Sequence, residues 1–313
     1  MYVFSNILGI FVFDDRFNII DKVLFGPFDD YKNKSKFLEG ISNKHKGVKS
    51  PEGDSLRQIL LYFKNGKFHH DFHSKNIELT RFGLKNSVQA EAFISQAINS
   101  IDEIDKSINI LMKRLREWYE LHNPEFSRAT RNNEEFVEEI AEKGKTELLD
   151  KIKISLDESF GSDLGQENLE PIKSLARQIS DLYRLRKNLA EYASITMDGF
   201  CPNLKAVCDT IVGARLIDHA GSLKRLSQMP SSTIQILGAE QALFRHLKTG
   251  SKPPRHGIII GHELIAKARN SMHGKIARAL ADKISIAAKI DYFNGKFIGD
   301  KLRKELDKKF GKN

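Results

Sequence analysis

Cysteine is scarce: Cys201 and Cys208 are the only two in 313 residues, with six residues between them. That spacing makes neither a disulfide framework nor a zinc pattern, and it fits a reducing, cytoplasmic compartment. No apolar run approaches the ~20 residues that a membrane-spanning helix needs. The apolar stretch Met1 to Asp15 has no basic leader and no small-residue cleavage site, so it does not read as a signal peptide. Enzyme signatures are missing as well. No G-x-x-x-x-G-K-[ST] loop occurs, since Gly274-Lys275 lacks the upstream glycine and the hydroxyl. No G-x-G-x-x-G follows a strand and there is no G-x-S-x-G elbow. His262-Glu263 begins like a zinc-protease helix, but Ala266 stands where the second histidine belongs. Together these absences point away from an enzyme: no catalytic residues, no cofactor and no metal.

What the chain has is charge, unevenly spread. It carries 50 Lys+Arg against 41 Asp+Glu, a net of +9. From Lys205 onward there are 21 basic and 9 acidic residues, a net of +12, while everything before it sums to −3. A basic excess confined to the last third points to a polyanion, RNA or DNA, or to an anionic membrane; the plain alternative is a solubilising surface.

The length suggests two or three domains, because single cores stop growing near ~250 residues. Residues 1–87 read as a small α/β domain. The runs Ile7 to Phe13 and Phe17 to Phe25, broken by Asp14-Asp15-Arg16, predict a hairpin. Residues 29–53 read as loop or short helices, Ser55 to Tyr62 as a short helix and Asn76 to Leu84 as a strand. If residues 69–73 were a strand, His69, Asp71 and His73 would share a face suited to a metal. A polar turn or exposed edge is the plainer reading, since no further Cys/His cluster follows.

Residues 88–204 carry heptads. Ile94, Ile101, Ile108 and Leu115 recur every seven residues, with Ala97, Ile104, Leu111 and Trp118 three places after each. A helix from Ser87 to Leu121 would be ~50 Å long at ~1.5 Å per residue, ending before Pro124. Ile172, Leu175, Ile179, Leu182, Leu189 and Ala193 form a second run, with Arg186 as a polar intruder and Pro171 near the start. An antiparallel helical hairpin, or coiled coil, with the charged residues 124–168 at its tip joins the two; two ordinary helices of a globular bundle are the alternative. Within the tip, Glu134 to Leu149 has helical spacing. Residues 205–313 read as an all-α domain, so the fold class is mainly α with a small α/β N-terminal domain.

In that last domain Arg245, His246, Lys248, Lys252, Arg255 and His256 fall within twelve residues, joined by Gly250 and two prolines. Such cations neutralise phosphates, with a salt-dependent affinity. Lys275 and Arg278 share a helix face at i, i+3 and add two more. Phe244 has a ring that could stack on an RNA base, although helical spacing alone assigns Phe244 and Leu243 to core packing.

Several long motifs then occur in order. Gly213-Ala214-Arg215-Leu216-Ile217 and His219-Ala220-Gly221-Ser222-Leu223 resemble the entry to a Nop domain. Residues 230–240, Pro-Ser-Ser-Thr-Ile-Gln-Ile-Leu-Gly-Ala-Glu, resemble its central signature, followed by Ala242-Leu243-Phe244-Arg245. Residues 274–281 resemble a later helix of the family, and residues 114–119 and 202–204 its hairpin. The resemblance spans about residues 88–304 and is much weaker over 1–87. It is to the archaeal scaffold of box C/D small ribonucleoproteins.

That resemblance implies a non-catalytic scaffold for guided ribose 2′-O-methylation of RNA. Residues 1–87 would hold fibrillarin, the S-adenosylmethionine-dependent methyltransferase. Residues 88–204 would self-associate into a homodimer through Ile94, Ile101, Ile104, Ile108, Leu111, Leu115, Ile172, Leu175, Ile179, Leu182 and Leu189. Residues 205–313 would bind the box C/D guide RNA together with a kink-turn-binding, ribosomal-type protein. Gly238, Ala239, Glu240 and Gln241 would supply close backbone approach, and Phe244, Arg245, His246, Lys248, Lys252, Arg255, Lys275 and Arg278 the grip. The sequence departs from the family at Gln241, where lysine is usual, at His273, where arginine often precedes Gly-Lys, and at Cys201, where alanine is common. A spliceosomal-type relative without fibrillarin, or an enzyme with an unrecognised N-terminal site, are the alternatives.

Overall fold

The computed structural model describes residues 1–26, 28–45 and 47–311. The chain divides into two compact units, Met1–Gln89 and Ala90–Asn313.

The first unit is built on an antiparallel meander of β1 (Tyr2–Ser5), β2 (Gly9–Phe13) and β3 (Ile19–Leu24), in that spatial order. Every residue of the central β2 is buried. Alternation sends Phe11 and Phe13 to a cluster with Ile59 and Phe63, and Ile10 and Val12 to another with Phe25 and Ile41. The β2–β3 turn is closed by Asp14, whose Oδ1 accepts from the backbone N–H of Arg16 at 2.9 Å and of Asn18 at 2.8 Å. Gly9 is dictated by the pairing, because a Cβ there would lie 2.2 Å from the Val23 carbonyl oxygen.

The helices of this unit are α1 (Phe28–Lys32), α2 (Lys34–Lys44), α3 (Gly53–Phe63) and α4 (His69–Ser87). The strand expected at Asn76 to Leu84 is part of α4. Phe72 packs its ring 6.1 Å from Phe63, and this tertiary anchor overrides the local preference of Ile77 and Thr80. His69, His70 and His73 therefore lie on a helix, and no metal-ligating group of three occurs among the described residues.

The second unit opens with α5 (Ala90–Tyr119), followed by α6 (Pro124–Ala129), α7 (Asn133–Glu142), α8 (Lys145–Lys151) and α9 (Gln166–Phe200). Ile94, Ile98 and Ile101 share a core with Met197, whereas Leu115 and Tyr119 share one with Ile172 and Ala176, so α5 and α9 run antiparallel. Asn123 caps α6 by accepting from the Phe126 N–H at 3.0 Å, with Pro124 in the first turn. Arg116 ties the tip to α5. Its guanidinium lies 4.2 Å from the Phe136 ring centroid and donates to the carbonyls of Ser127 and Thr130 and to Asn133 Oδ1. The intruder Arg186 pairs with Asp105 on the facing helix. Pro171 sits inside α9, which starts earlier than expected, at Gln166.

The heptad reading of α5 drifts. Met112 and Tyr119 are buried, and Trp118 is 39% exposed. A straight helix repeats at 3.6 residues per turn, so a seven-residue frame slips round its face over four repeats. The residues expected at the dimer interface are used within the chain. Ile94, Ile101, Ile108, Leu115, Ile172 and Ile179 are buried in it, and Ile104, Leu111, Leu175, Leu182 and Leu189 are partly buried against the same cores. One antiparallel pair satisfies both seams.

Beyond α9 come α10 (Pro202–Cys208), α11 (Thr210–Ala220), α12 (Leu223–Gln228), α13 (Ser231–Ile236), α14 (Glu240–Thr249), α15 (Glu263–Ala266), α16 (His273–Tyr292) and α17 (Gly299–Phe310). The base of the hairpin is built into their core: Ile94, Ile98, Ile101 and Met197 pack with Leu216, Ile217, Leu280 and Ile284. No break separates residues 204 and 205, so the expected hairpin and last domain form one unit. Asp291 of α16 acts as a tertiary cap on α10, accepting from the N–H of Asn203 at 3.1 Å, of Leu204 at 2.8 Å and from Asn203 Nδ2 at 2.8 Å. Arg303 pins α17 through ion pairs with Glu263 and Asp209. Cys201 and Cys208 are free, and burial pushes both thiols well above their ordinary range, so they act as small apolar side chains.

Candidate nucleic-acid interface

Two adjoining segments hold the cationic residues. The first is α14, which has no buried residue and ends at Gly250 in the left-handed conformation, φ 67°. Gln241, Phe244, Arg245 and Lys248 follow helical spacing along it and are all exposed. Phe244 is 60% and Leu247 68% exposed, so the core role that spacing assigned to Phe244 is not observed; Leu243 is half-buried. Helical periodicity marks a face but does not say whether anything covers it.

The second segment runs from Ser251 to Gly257 and lies against α13 and the start of α16. Gly257 donates to the Gln235 carbonyl at 2.9 Å and Ile258 to the Leu237 carbonyl at 2.8 Å. These backbones meet because Gly257 has no Cβ; one built there would lie 1.9 Å from the Leu237 carbonyl oxygen. The Gln235 amide donates to the Arg255 carbonyl at 2.7 Å, and Arg255 Nη1 to the Asn270 carbonyl at 3.1 Å. The result is an open cleft of 460 Å³ lined by Gln235, Lys252, Pro253, Pro254, Arg255, Gly274, Lys275 and Arg278. Two pairs of cations from separate segments, Lys252 with Arg255 and Lys275 with Arg278, converge on it.

None of Arg245, Lys248, Lys252, Arg255, Lys275 and Arg278 has a carboxylate partner within 4.0 Å among the described residues, and all six are exposed. The hairpin is the opposite case: its cations pair repeatedly with neighbours, as Lys151 does with Glu135 and Glu139. Apart from the bond of Arg255 to the Asn270 carbonyl, these cations have no side-chain partner of opposite charge inside the protein, which leaves their charge available to a ligand.

Other expected contacts are taken up inside the protein. Gly238, at φ 83°, donates its N–H to Glu240 Oε1 at 2.7 Å, so neither group is free for a phosphate. Ala239 is half-buried at the start of α14. His246 donates from Nδ1 to the Ser251 carbonyl and closes the turn after α14. Sequence reasoning missed Gln235 and Gly274 in the cleft wall. Both lie inside motifs that it singled out, but nothing in a linear motif says which residues line a cavity. At Gly274 an added Cβ would meet nothing within 4 Å, so the protein's own packing does not demand glycine there.

The second unit is mainly helical, and the exposed cations of its cleft have the charge that would suit a polyanion. The chain belongs to the Nop family, whose description reads "snoRNA binding domain, fibrillarin" and whose match covers residues 100–312. It is 39% identical over 280 residues to an uncharacterized NOP5 family protein of Methanocaldococcus jannaschii, covering 82% of this chain and 67% of that one. It is 40% identical over 228 residues to nucleolar protein 58 of Aspergillus fumigatus, covering 68% of this chain and 39% of that protein. The chain thus spans well under half the length of the fungal relative. A solved structure of a fibrillarin/Nop5p complex is similar at a TM-score of 0.45 and 21% identity, over 99% of this chain and 98% of that one. No helix among the described residues is long and apolar enough to cross a membrane.

Proposed function

We propose that this protein is a non-catalytic scaffold of a box C/D-type ribonucleoprotein, gripping guide RNA through the cationic cleft and α14 while holding a fibrillarin methyltransferase. The observation that carries the reading is the set of six exposed cations without carboxylate partners, on a chain of the Nop family. A kink-turn-binding protein on the same RNA would supply specificity by shape, with the exposed Phe244 and Leu247 available to either partner. Fibrillarin is assigned to Met1–Gln89, which folds around its own two hydrophobic clusters. Tethering a methyltransferase to a guide raises its effective concentration at the target ribose without chemistry from this chain. Cytoplasmic assembly fits two buried, reduced cysteines.

Self-association belongs to this reading, but on a different surface from the heptad seams. Leu185, Tyr192 and Ile195, at i, i+7 and i+10 along α9, remain 46%, 46% and 66% exposed, and Ile110 on α5 is 72% exposed. The 313-residue chain is expected to sediment as a dimer, and Leu185→Glu with Ile195→Glu as a monomer. A wild type that stays monomeric at high concentration rules the homodimer out.

The deciding experiment is reconstitution of guided methylation from this chain, fibrillarin, the kink-turn-binding protein and a box C/D guide RNA. Omission of this chain should abolish 2′-O-methylation of the guided target. Methylation that persists without it, or that this chain performs alone with S-adenosylmethionine, refutes the scaffold reading.

A further inference from the structure

The turn that joins α16 to α17 presents aromatic rings to solvent. Every residue from Phe293 to Phe297 is exposed, Phe293 to 74% and Phe297 to 52%. The turn is nevertheless fastened. The N–H of Phe293 donates to the Lys289 carbonyl at 3.0 Å, that of Asn294 to the Asp291 carbonyl at 3.2 Å and that of Gly295 to the Ile290 carbonyl at 2.8 Å. On the far side the Ile298 N–H donates to Asn203 Oδ1 at 2.7 Å. Asn294 takes the left-handed conformation, φ 52°, which asparagine adopts more readily than most residues.

Both rings are held from one side and open on another. Phe293 sits edge-on to Tyr292, with 5.0 Å between centroids and 71° between planes, and Tyr292 packs against the core of the second unit. Phe297 rests beside Gly299, where a Cβ would lie 3.1 Å from its Cε2 and 2.6 Å from Ala206 Cβ of α10. The charge around the rings is mainly cationic. Lys289, Lys296 and Lys301 are exposed and have no carboxylate partner within 4.0 Å among the described residues. Asp300 is exposed as well, but Asp291 is buried and both its oxygens are taken by α10. The cleft lies at the other end of α16, which is 20 residues long, so the two places are ~30 Å apart at ~1.5 Å per residue.

We propose that this turn is a second RNA contact, on which the rings of Phe293 and Phe297 stack unpaired bases while Lys289 and Lys296 meet the adjoining phosphates. The proposal rests on the reading of the chain as an RNA-binding scaffold and adds a contact that the cleft cannot reach. Stacking on a ring needs a base whose face is free, so the ligand is single-stranded RNA and not duplex. A second copy of this chain fits the turn less well, because a two-fold contact there would set lysines against lysines.

The test uses the whole chain and a labelled oligouridylate of about twelve nucleotides, with an RNA duplex of the same length for comparison. Phe293→Ala with Phe297→Ala should weaken binding of the single strand about tenfold per ring and leave duplex binding unchanged. The slope of log affinity against log salt should stay as in wild type, because stacking releases no counterions, whereas Lys275→Glu with Arg278→Glu should flatten it. Phe293→Leu with Phe297→Leu keeps the apolar area without a ring face and should weaken binding nearly as much as the alanine pair. Phe293→Ala alone removes a ring that is 74% exposed, so it decides the matter if the double variants misfold. Photocrosslinking of a 4-thiouridine oligonucleotide to wild type, with label expected within residues 289–301, needs no substitution at all. Unchanged affinity in these variants, with crosslinks confined to the cleft, overturns the proposal and leaves the cleft standing. A leucine pair that binds like wild type overturns it too, since the contact is then merely apolar. Loss of self-association in the alanine pair overturns it by giving the face to a second copy. A wild type that binds no RNA removes the cleft reading and the proposal together.

Discussion

Reversing Lys275 and Arg278 to glutamate tests the cleft directly, because neither side chain has a partner to lose inside the protein. Both are exposed at the start of α16, and the helix buries its opposite side through Ile276, Ala277 and Leu280. A glutamate in the first turn of a helix is electrostatically favoured, so Lys275→Glu should not lower stability. If all six unpaired cations meet phosphates, the slope of log affinity against log salt should be about −4, taking ~0.7 per phosphate contact as for a single strand. Removing two contacts should flatten it by about 1.4, with affinity lost most steeply at low salt. The assay is anisotropy of a labelled box C/D guide RNA carrying its kink-turn-binding protein, titrated at four or more salt concentrations, with Trp118 fluorescence and the melting temperature as controls of folding. Arg245→Glu with Lys248→Glu, on α14, is the companion pair. If α14 alone grips RNA, that pair flattens the slope and the cleft pair does not. A slope unchanged in both doubles, with folding intact, refutes the reasoning and leaves the charge of the last third as surface.

Gly274→Ala should weaken RNA binding while leaving the melting temperature unchanged or slightly raised, because its Cβ meets no protein atom within 4 Å and alanine suits a helix better than glycine. Asp291→Ala removes the acceptor of three buried donor bonds and should cost about 3 kcal/mol or more, read by urea unfolding. Ile101→Ala, at the junction of hairpin and base, should cost about 2–5 kcal/mol in the same assay. Asp21 is held at about 2 by hydrogen bonds from Lys44 and His45, below its ordinary 3.8. Its stabilising contribution is present above 3.8 and is lost as pH falls through about 2. Asp21→Asn should therefore lower the melting temperature at pH 7 and make no difference below pH 2.

The elements most legible in the sequence are those whose signal is local and periodic. The β2–β3 hairpin was announced by Asp14, a residue that both breaks the apolar run and closes the turn. The long helices α5 and α9 were announced by their apolar repeats, and the charged intruder Arg186 resolves once Asp105 is seen opposite. What periodicity did not carry was the identity of the partner. A seam of apolar residues at heptad spacing reads the same whether it meets another chain or its own antiparallel neighbour. The drift that exposes Trp118 and buries Tyr119 is equally silent in a seven-residue frame. Four half-buried residues offer too short a pattern to mark β1, and α4 shows no stripe of its own because its first turn is anchored by the ring of Phe72 against Phe63 of α3.

The candidate site divides along the same line. Its charges were visible as composition, since an excess of +12 survives any folding. Which charges are free is a property of contacts. Arg303 and Lys267 lie in the same basic third as Arg255 and Lys275, yet the first two are bound to carboxylates and the second two are not. The glycines show the difference most sharply. Gly257 is required by the protein's own backbone, which approaches to 1.9 Å of where a Cβ would be, whereas Gly274 faces open space. In sequence both are glycines beside a histidine in a basic segment; in the fold Gly257 lets its segment close against α13, and Gly274 lines the cleft with no side chain. A substitution at Gly257 should therefore damage folding and RNA binding together. Because nothing inside the protein uses the space at Gly274, the same substitution there isolates the ligand, and separation of the two effects is what distinguishes a binding cleft from a basic patch of surface.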